Sequence, residues 1–262
     1  MQGGAALVPG GPVTWVAAVV GLVFGSFLNT FIDRWPRGES LLHPPSRCER
    51  CGRRLRPWEL VPVLSWFVLR GWCRGCGAAI GWQAPLVEAA TGLLFAAVAL
   101  RAAGWADLLL GWGLMALLVV ATGVDLKVRL IPDVANGLGA AWGLAVGFAS
   151  QGEGFWHHVA SGAAAGLLFG IIHLASRGGL GLGDVKLAAV LGLYLGPRAT
   201  PVALFAAALV GGGVAAALLA TGKRSRGDEL PYGPFLALGG LVGWFGGGEL
   251  AAAYLRWNGW PG

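Results

Sequence analysis

Eight stretches of the chain, 13–31, 85–104, 106–124, 131–150, 156–175, 184–197, 200–221 and 233–255, are apolar and nearly free of charge. A hydrocarbon core about 30 Å thick needs roughly 20 such residues per helix. In lipid, only a helix or a closed barrel satisfies its own backbone polar groups. The pattern therefore predicts an all-α polytopic membrane protein with eight transmembrane helices. The sixth stretch is the shortest. No basic residue precedes the first, so it reads as a retained helix and not as a cleaved signal.

Composition excludes the main alternatives. Only 12% of the 262 residues are charged, about half the share in an average soluble domain. Disorder requires the opposite balance, low hydrophobicity with high charge. The 46 glycines follow no G-x-y period and the 13 tryptophans suit bilayer interfaces. Gly21/Gly25 and Gly162/Gly166/Gly170 have the spacing that lets membrane helices approach closely, here read as packing within the chain. The formal charge of +6 carries no stacking motif with its arginines, so a nucleic-acid partner is not expected.

Charge is concentrated in one place. Residues 32–84 hold nine Arg and four Asp/Glu, and all four cysteines. This segment reads as a small polar module inserted between the first two spans. Counting Lys and Arg by loop gives the orientation. With the N-terminus outside, the module and the 125–130, 176–186 and 222–232 loops share one side and 16 basic residues, against Arg101, Arg198 and Arg256 opposite. Both termini then lie outside and the module is cytoplasmic.

Cys48-x-x-Cys51 and Cys73-x-x-Cys76, each followed by glycine, form the two-knuckle pattern of a tetrahedral S4 site for structural Zn2+. Disulfides rarely persist in the cytoplasm. A redox dithiol would need only one pair. With four protein ligands the metal keeps no open position for substrate. His157 and His158 fall on the far side, and His43 and His173 read as surface and packing residues.

Three aspartates stand at one edge of the spans: Asp125 at the end of the third, Asp133 after Ile131-Pro132, and Asp184 in Gly181-Leu182-Gly183-Asp184. Ionisable groups so close to lipid need a reason. Two carboxylates brought together can share one proton, one acting as base on water and the other polarising a carbonyl. The bland readings stay open at this point. Asp184 could cap a helix, Asp133 could be a first-turn acid, and Asp125 could flank a span opposite Lys127. Glu88 and Glu249, inside apolar stretches, could pair with other polar groups.

The ordered motifs resemble the type IV prepilin peptidase family, bifunctional leader peptidases and N-methyltransferases of pilus and type II secretion systems. The resemblance runs through Gly25-Ser26-Phe27-Leu28-Asn29, Arg34-Trp35-Pro36-Arg37-Gly38-Glu39-Ser40, Pro44-Pro45-Ser46-Arg47-Cys48, Pro62-Val63-Leu64-Ser65-Trp66 and Pro85-Leu86-Val87-Glu88. It continues in Asp125, Ile131-Pro132-Asp133, the GxGD motif at 181–184 and Tyr232-Gly233-Pro234-Phe235-Leu236-Ala237. It implies that Asp125 and Asp184 are the catalytic pair, with Asp133 a neighbour. It also implies type IV prepilins or pseudopilins as substrates, a short basic leader cut after glycine, and methylation of the new N-terminal residue by S-adenosylmethionine. The location implied is the bacterial inner membrane.

On this reading residues 1–31 are the first membrane helix, 32–84 the cytoplasmic zinc module associated with methyl transfer, and 85–262 a seven-helix aspartic peptidase domain. Gly81-Trp82-Gln83-Ala84 departs from the family's Ser-x-Arg-Tyr-like stretch, which leaves a peptidase without methyltransferase activity as the nearest alternative. A transporter using the aspartates as an ion path and a zinc-ribbon scaffold are the others. The sequence contains no Gly-rich methyl-donor motif.

Overall fold

The structure, a computed structural model, describes residues 11–176, 179–222 and 230–259. Of the basic residues used for orientation, Arg177, Lys223, Arg224 and Arg226 lie outside the described residues. Among the described residues regular structure is helical, apart from two isolated β-bridges, Arg47 with Arg54 and Trp72 with Ala79. The chain forms two compact units, Met1–Leu108 and Leu109–Gly262.

The first unit is built on α1 (Pro12–Arg34) and α3 (Gln83–Arg101), with the short α2 (Leu64–Val68) in the loop-rich module between them. Pro12 at the first helical position starts α1 with its φ already set. The two long helices meet through glycine. A Cβ on Gly21 would lie 2.7 Å from the Thr91 carbonyl oxygen, and one on Gly25 would lie 2.8 Å from the Glu88 Cα. The Gly21/Gly25 pair thus serves packing within the chain, as its spacing predicts.

The second unit contains most of α4 (Trp105–Val128), then α5 (Asp133–Ser150), α6 (Phe155–Ala175), α7 (Leu182–Ala220), α8 (Gly233–Val242) and α9 (Gly248–Trp257). A π-turn over Gly243–Gly247 joins the last two. Trp142 of α5 covers Gly113 of α4 and donates from Nε1 to the Leu109 carbonyl at 2.9 Å. Tyr194 of α7 donates to the Gly139 carbonyl of α5 at 2.8 Å. On α6, Gly162 meets the Ala189 carbonyl, Gly166 meets the Ala189 side chain, and Gly170 has nothing near it.

Among the described residues, six helices are long and apolar enough to cross a membrane: Pro12–Arg37, Gln83–Arg101, Trp105–Val128, Gly152–Ala175, Leu182–Ala220 and Gly233–Trp257. Eight crossings are expected from the sequence, and the difference lies in two places. The stretch from 131 is the helix α5 but is not among the six. The stretches 184–197 and 200–221 form one 39-residue helix, broken at Gly196 with φ +70 and ψ −178, ahead of Pro197 and Pro201.

That break reverses the chain. A straight helix from Asp184 to Gly211 would run about 40 Å. Yet Tyr232 touches Gly211 and also lies within electrostatic reach of Asp184. The two arms of α7 therefore fold back on each other. Broken backbone in apolar surroundings must find partners. Here the Leu193 carbonyl accepts from Nδ1 of His158 at 3.1 Å, and the Gly196 carbonyl accepts from the Thr200 hydroxyl at 2.6 Å. Ser161 of α6 completes the knot by donating to Thr200 at 2.9 Å.

The α6–α7 contact makes a direct test. A Cβ on Gly192 would lie 2.6 Å from the Ser161 carbonyl oxygen and 2.7 Å from the Gly162 Cα, both backbone atoms. Gly192→Val should destabilise the protein by about 1–3 kcal/mol through overpacking. Gly170→Val on the facing helix should change stability by less than about 0.5 kcal/mol. Unfolding of the two variants in detergent, compared with the parent chain, measures both.

Candidate functional site

The GxGD turn begins before α7. Nδ1 of His173, near the end of α6, donates to the Leu180 carbonyl at 2.6 Å. The Leu180 N–H donates to the Ser176 hydroxyl at 3.3 Å. Gly183 is glycine for want of space, since a Cβ there would meet the Ile131 Cβ at 3.0 Å and its carbonyl oxygen at 3.3 Å. The Ile131-Pro132 link after α4 is thus pressed onto the turn that carries Asp184. Asn136, buried in the first turn of α5, donates from Nδ2 to the Gly183 carbonyl at 3.3 Å, while its Oδ1 has no partner among the described residues.

Asp184 is buried in the first turn of α7, and its Oδ2 accepts from the Gly181 N–H at 3.0 Å. Asp125 is buried in the last turn of α4, and its Oδ2 accepts from the Gly233 N–H at 2.8 Å. Gly233 opens α8, so this carboxylate faces the positive end of a helix. A Cβ on Gly233 would lie 2.8 Å from that same oxygen. The Asp125 and Asp184 carboxylates are close enough to interact electrostatically. Each is held by a backbone N–H on one oxygen.

Asp133 is placed differently. Its exposed carboxylate accepts from Nζ of Lys186 at 2.7 Å. An exposed pair of this kind contributes little to stability, but it ties the start of α5 to the start of α7. Glu88 belongs to the first unit, buried in α3, where it accepts from the Val63 N–H at 2.7 Å.

Between α6 and the second arm of α7 opens an apolar groove of about 830 Å³. Phe169 and Ile172 of α6 line one wall, and Leu204 and Phe205 of the second arm of α7 line the other. Leu180 and Tyr232 also line it, and Tyr232 lies within electrostatic reach of Asp184. Three contributors escape a reading of residue types alone: the Gly233 N–H, the Asn136 amide and the Tyr232 ring. Asn136 does leave a signal, as the polar residue between Asp133 and Ser150 at the two ends of α5.

In the module, the sequence pattern becomes two matching knuckles. The Cys48 N–H bonds to the Arg53 carbonyl at 2.9 Å, and the Cys73 N–H bonds to the Ala78 carbonyl at 2.8 Å. Gly52 and Gly77, at φ +69 and +65, turn the chain after each pair, a conformation that suits glycine. All four Sγ atoms lie within 4.8 Å of one another, and Cys48 and Cys76 are 3.8 Å apart. A tetrahedron with metal–sulfur bonds near 2.3 Å has edges of about 3.8 Å, so the four thiols could hold a metal ion. N–H groups of Gly75 and Cys76 hold the Cys73 thiol below its ordinary value, which favours the ligating thiolate at that position.

Next to the thiols, Arg53 grips the buried carboxylate of Glu59 at 2.7 and 3.0 Å, and the Arg56 N–H adds a third bond at 2.8 Å. The Arg53 guanidinium holds Glu59 below the usual carboxylate range. Groups that brace ligand loops typically change metal affinity by about tenfold or more when removed. Arg53→Ala should weaken metal binding by about that factor, read as faster transfer of the ion to a chromophoric chelator.

Two buried carboxylates from separate helices of the second unit, close enough to interact electrostatically, define a candidate aspartic hydrolase site. Comparison with known proteins agrees with this class. Residues 19–102 match the family model described as Bacterial Peptidase A24 N-terminal domain, and residues 112–216 match the Type IV leader peptidase family. Among curated proteins, the prepilin leader peptidase/N-methyltransferase of Stutzerimonas stutzeri is 34% identical, over 92% of this chain and 93% of its own length. Its namesakes from Bacillus subtilis (33%, 91% and 96%) and Pseudomonas aeruginosa (32%, 95% and 96%) are similarly related. No solved structure matches the chain. The chain belongs to the type IV leader peptidase family.

Proposed function

We propose that this protein is a membrane aspartic endopeptidase that removes the short basic leader from type IV prepilins and pseudopilins. The same chain N-methylates the residue so exposed. The observation that carries the reading is the approach of Asp125 and Asp184, each anchored by a backbone N–H and each buried at a helix end. One carboxylate takes a proton from water as it attacks the scissile carbonyl, and the other, protonated, polarises that carbonyl. The proton then passes to the departing amine. The groove between α6 and the second arm of α7 offers an apolar segment of the substrate a place beside the pair.

The same reading assigns eight crossings, with α5 as one and each arm of α7 as another. The 39 residues of α7 would run about 58 Å as a straight helix, roughly twice a hydrocarbon core. Both termini then lie outside the inner membrane, and the 32–84 module lies on the cytoplasmic side with the aspartates. We take Cys48, Cys51, Cys73 and Cys76 as the ligands of a structural Zn2+, since four protein donors leave it no open position. The module supports methyl transfer, and the helices from residue 85 onward carry peptide cleavage. S-adenosylmethionine supplies the methyl group for the new N-terminal amine.

The test is incubation of the purified protein with a prepilin and S-adenosylmethionine, followed by mass analysis of the product. Asp125→Asn and Asp184→Asn should each lower the cleavage rate by about 100-fold or more, the usual size of a lost acid or base. Cutting at the parent rate by either variant would overturn the pair. A product heavier by one methyl group is expected from the parent chain, and an unmethylated product would leave a peptidase alone. Gly233→Ala should also slow cleavage, because its methyl would meet Asp125 Oδ2 at 2.8 Å. Thermal unfolding near that of the parent would separate this effect from misfolding.

A further inference from the structure

The polar module contains one segment that is not polar. Residues 60–69, Leu-Val-Pro-Val-Leu-Ser-Trp-Phe-Val-Leu, hold no charge, and Glu59 and Arg70 bracket them. The helix α2 lies inside this run and turns its apolar side chains outward. Leu64 is 63% exposed, Phe67 59% and Val68 65%. Singly exposed apolar residues are ordinary, but a contiguous group marks a surface that is covered in use.

Two attachments fix how far along α3 this surface lies. The first is at the start of α2, where the Val63 N–H donates to Glu88 at 2.7 Å. Glu88 is five residues inside α3, about 8 Å along its axis. Val63 holds φ +61 at this bond, a costly conformation for a β-branched residue. The second attachment is Trp66, whose ring lies 3.9 Å from that of Trp82, centroid to centroid. Trp66 also donates from Nε1 to the Ile80 carbonyl at 3.1 Å. Trp82 is the residue immediately before α3, and both Trp82 and Leu86 are exposed.

α3 is one of the candidate membrane spans. Its first turns therefore stand where headgroups meet acyl chains, and α2 is pinned at that level. Tryptophan is the residue enriched at this depth. Arg70 follows the apolar run and is exposed, positioned to meet lipid phosphate while the apolar face enters the acyl boundary. We infer that the Leu64, Phe67 and Val68 face of α2 inserts into the interface of the same bilayer that α3 crosses. The module is thus anchored flat on lipid beside its own helix pair. The inference rests on the membrane reading of α3.

The test uses the full chain, loaded with zinc, in vesicles of equimolar phosphatidylethanolamine and phosphatidylglycerol that carry a diazirine in the acyl chain. After photolysis, adducts are mapped by mass spectrometry. Lipid adducts on Leu64, Phe67 or Val68 are expected, at a yield comparable with that at Leu86. Val68→Glu should lower the yield on α2 and leave that on α3 unchanged. If α3 is labelled and residues 64–68 react only with a water-soluble diazirine, the interfacial anchor is wrong while the membrane reading stands. If α3 itself takes no lipid, the membrane reading fails with it. Cross-links from residues 64–68 to a second copy of the chain, in place of lipid, would also overturn the inference.

Discussion

The second unit depends on the reversal of α7 at Gly196. Without it, the start of α7 and residues near its end would stand about 40 Å apart. With it, Tyr232 lies both over Gly211 and near Asp184, and the following residue donates to Asp125. A break of this kind leaves buried backbone carbonyls without helical partners, and these must be satisfied elsewhere. His158 and Thr200 each donate to one of them, and Ser161 holds the Thr200 hydroxyl in place. A histidine at 158 therefore has structural work far from the carboxylates. Position 196 suits glycine twice over, since its φ is +70 and a Cβ there would meet the His158 ring at 2.7 Å.

Close backbone approach is the second recurring device. Gly21, Gly25, Gly162 and Gly192 bring facing helices together, while Gly183 and Gly233 bring the Ile131 link and the Asp125 carboxylate against their neighbours. In lipid the hydrophobic effect gives helices little reason to associate, and dispersion across tight contacts takes its place. In the second unit small residues serve both ends, with Gly162 and Gly192 holding helices together and Gly183 and Gly233 framing the carboxylates. Structure and chemistry there share one set of constraints.

Charge works differently in the two units. In the first, the arginines and acids form local pairs such as Arg53 with Glu59, and these brace the loops that carry the thiols. In the second, charge is more thinly spread along a longer stretch of chain, and a charged group within its apolar helices is conspicuous. Asp133 illustrates how little a position near the site says about a role. It shares the edge with Asp125 and Asp184, yet it faces solvent and is bound to Lys186. The cost of burial separates them, since an exposed carboxylate needs no special environment and a buried one does.

From sequence alone, apolar stretches of membrane length are visible because every residue in lipid must be apolar over about 20 positions. The cysteine knuckles are equally legible, since ligand spacing and the glycine after each pair are local properties of the chain. Asp125 and Asp184 stand out because charge is scarce around them. Sequence spacing could not say that 184–197 and 200–221 join in one folded-back helix, because a loop at residues 198 and 199 and a break at Gly196 fit it equally. Nor could it separate Asp133 from the buried pair, or find the Gly233 N–H and Asn136 amide that frame it. Those depend on contacts between residues far apart in the chain, such as 125 with 233 and 136 with 183, and only packing decides which groups meet.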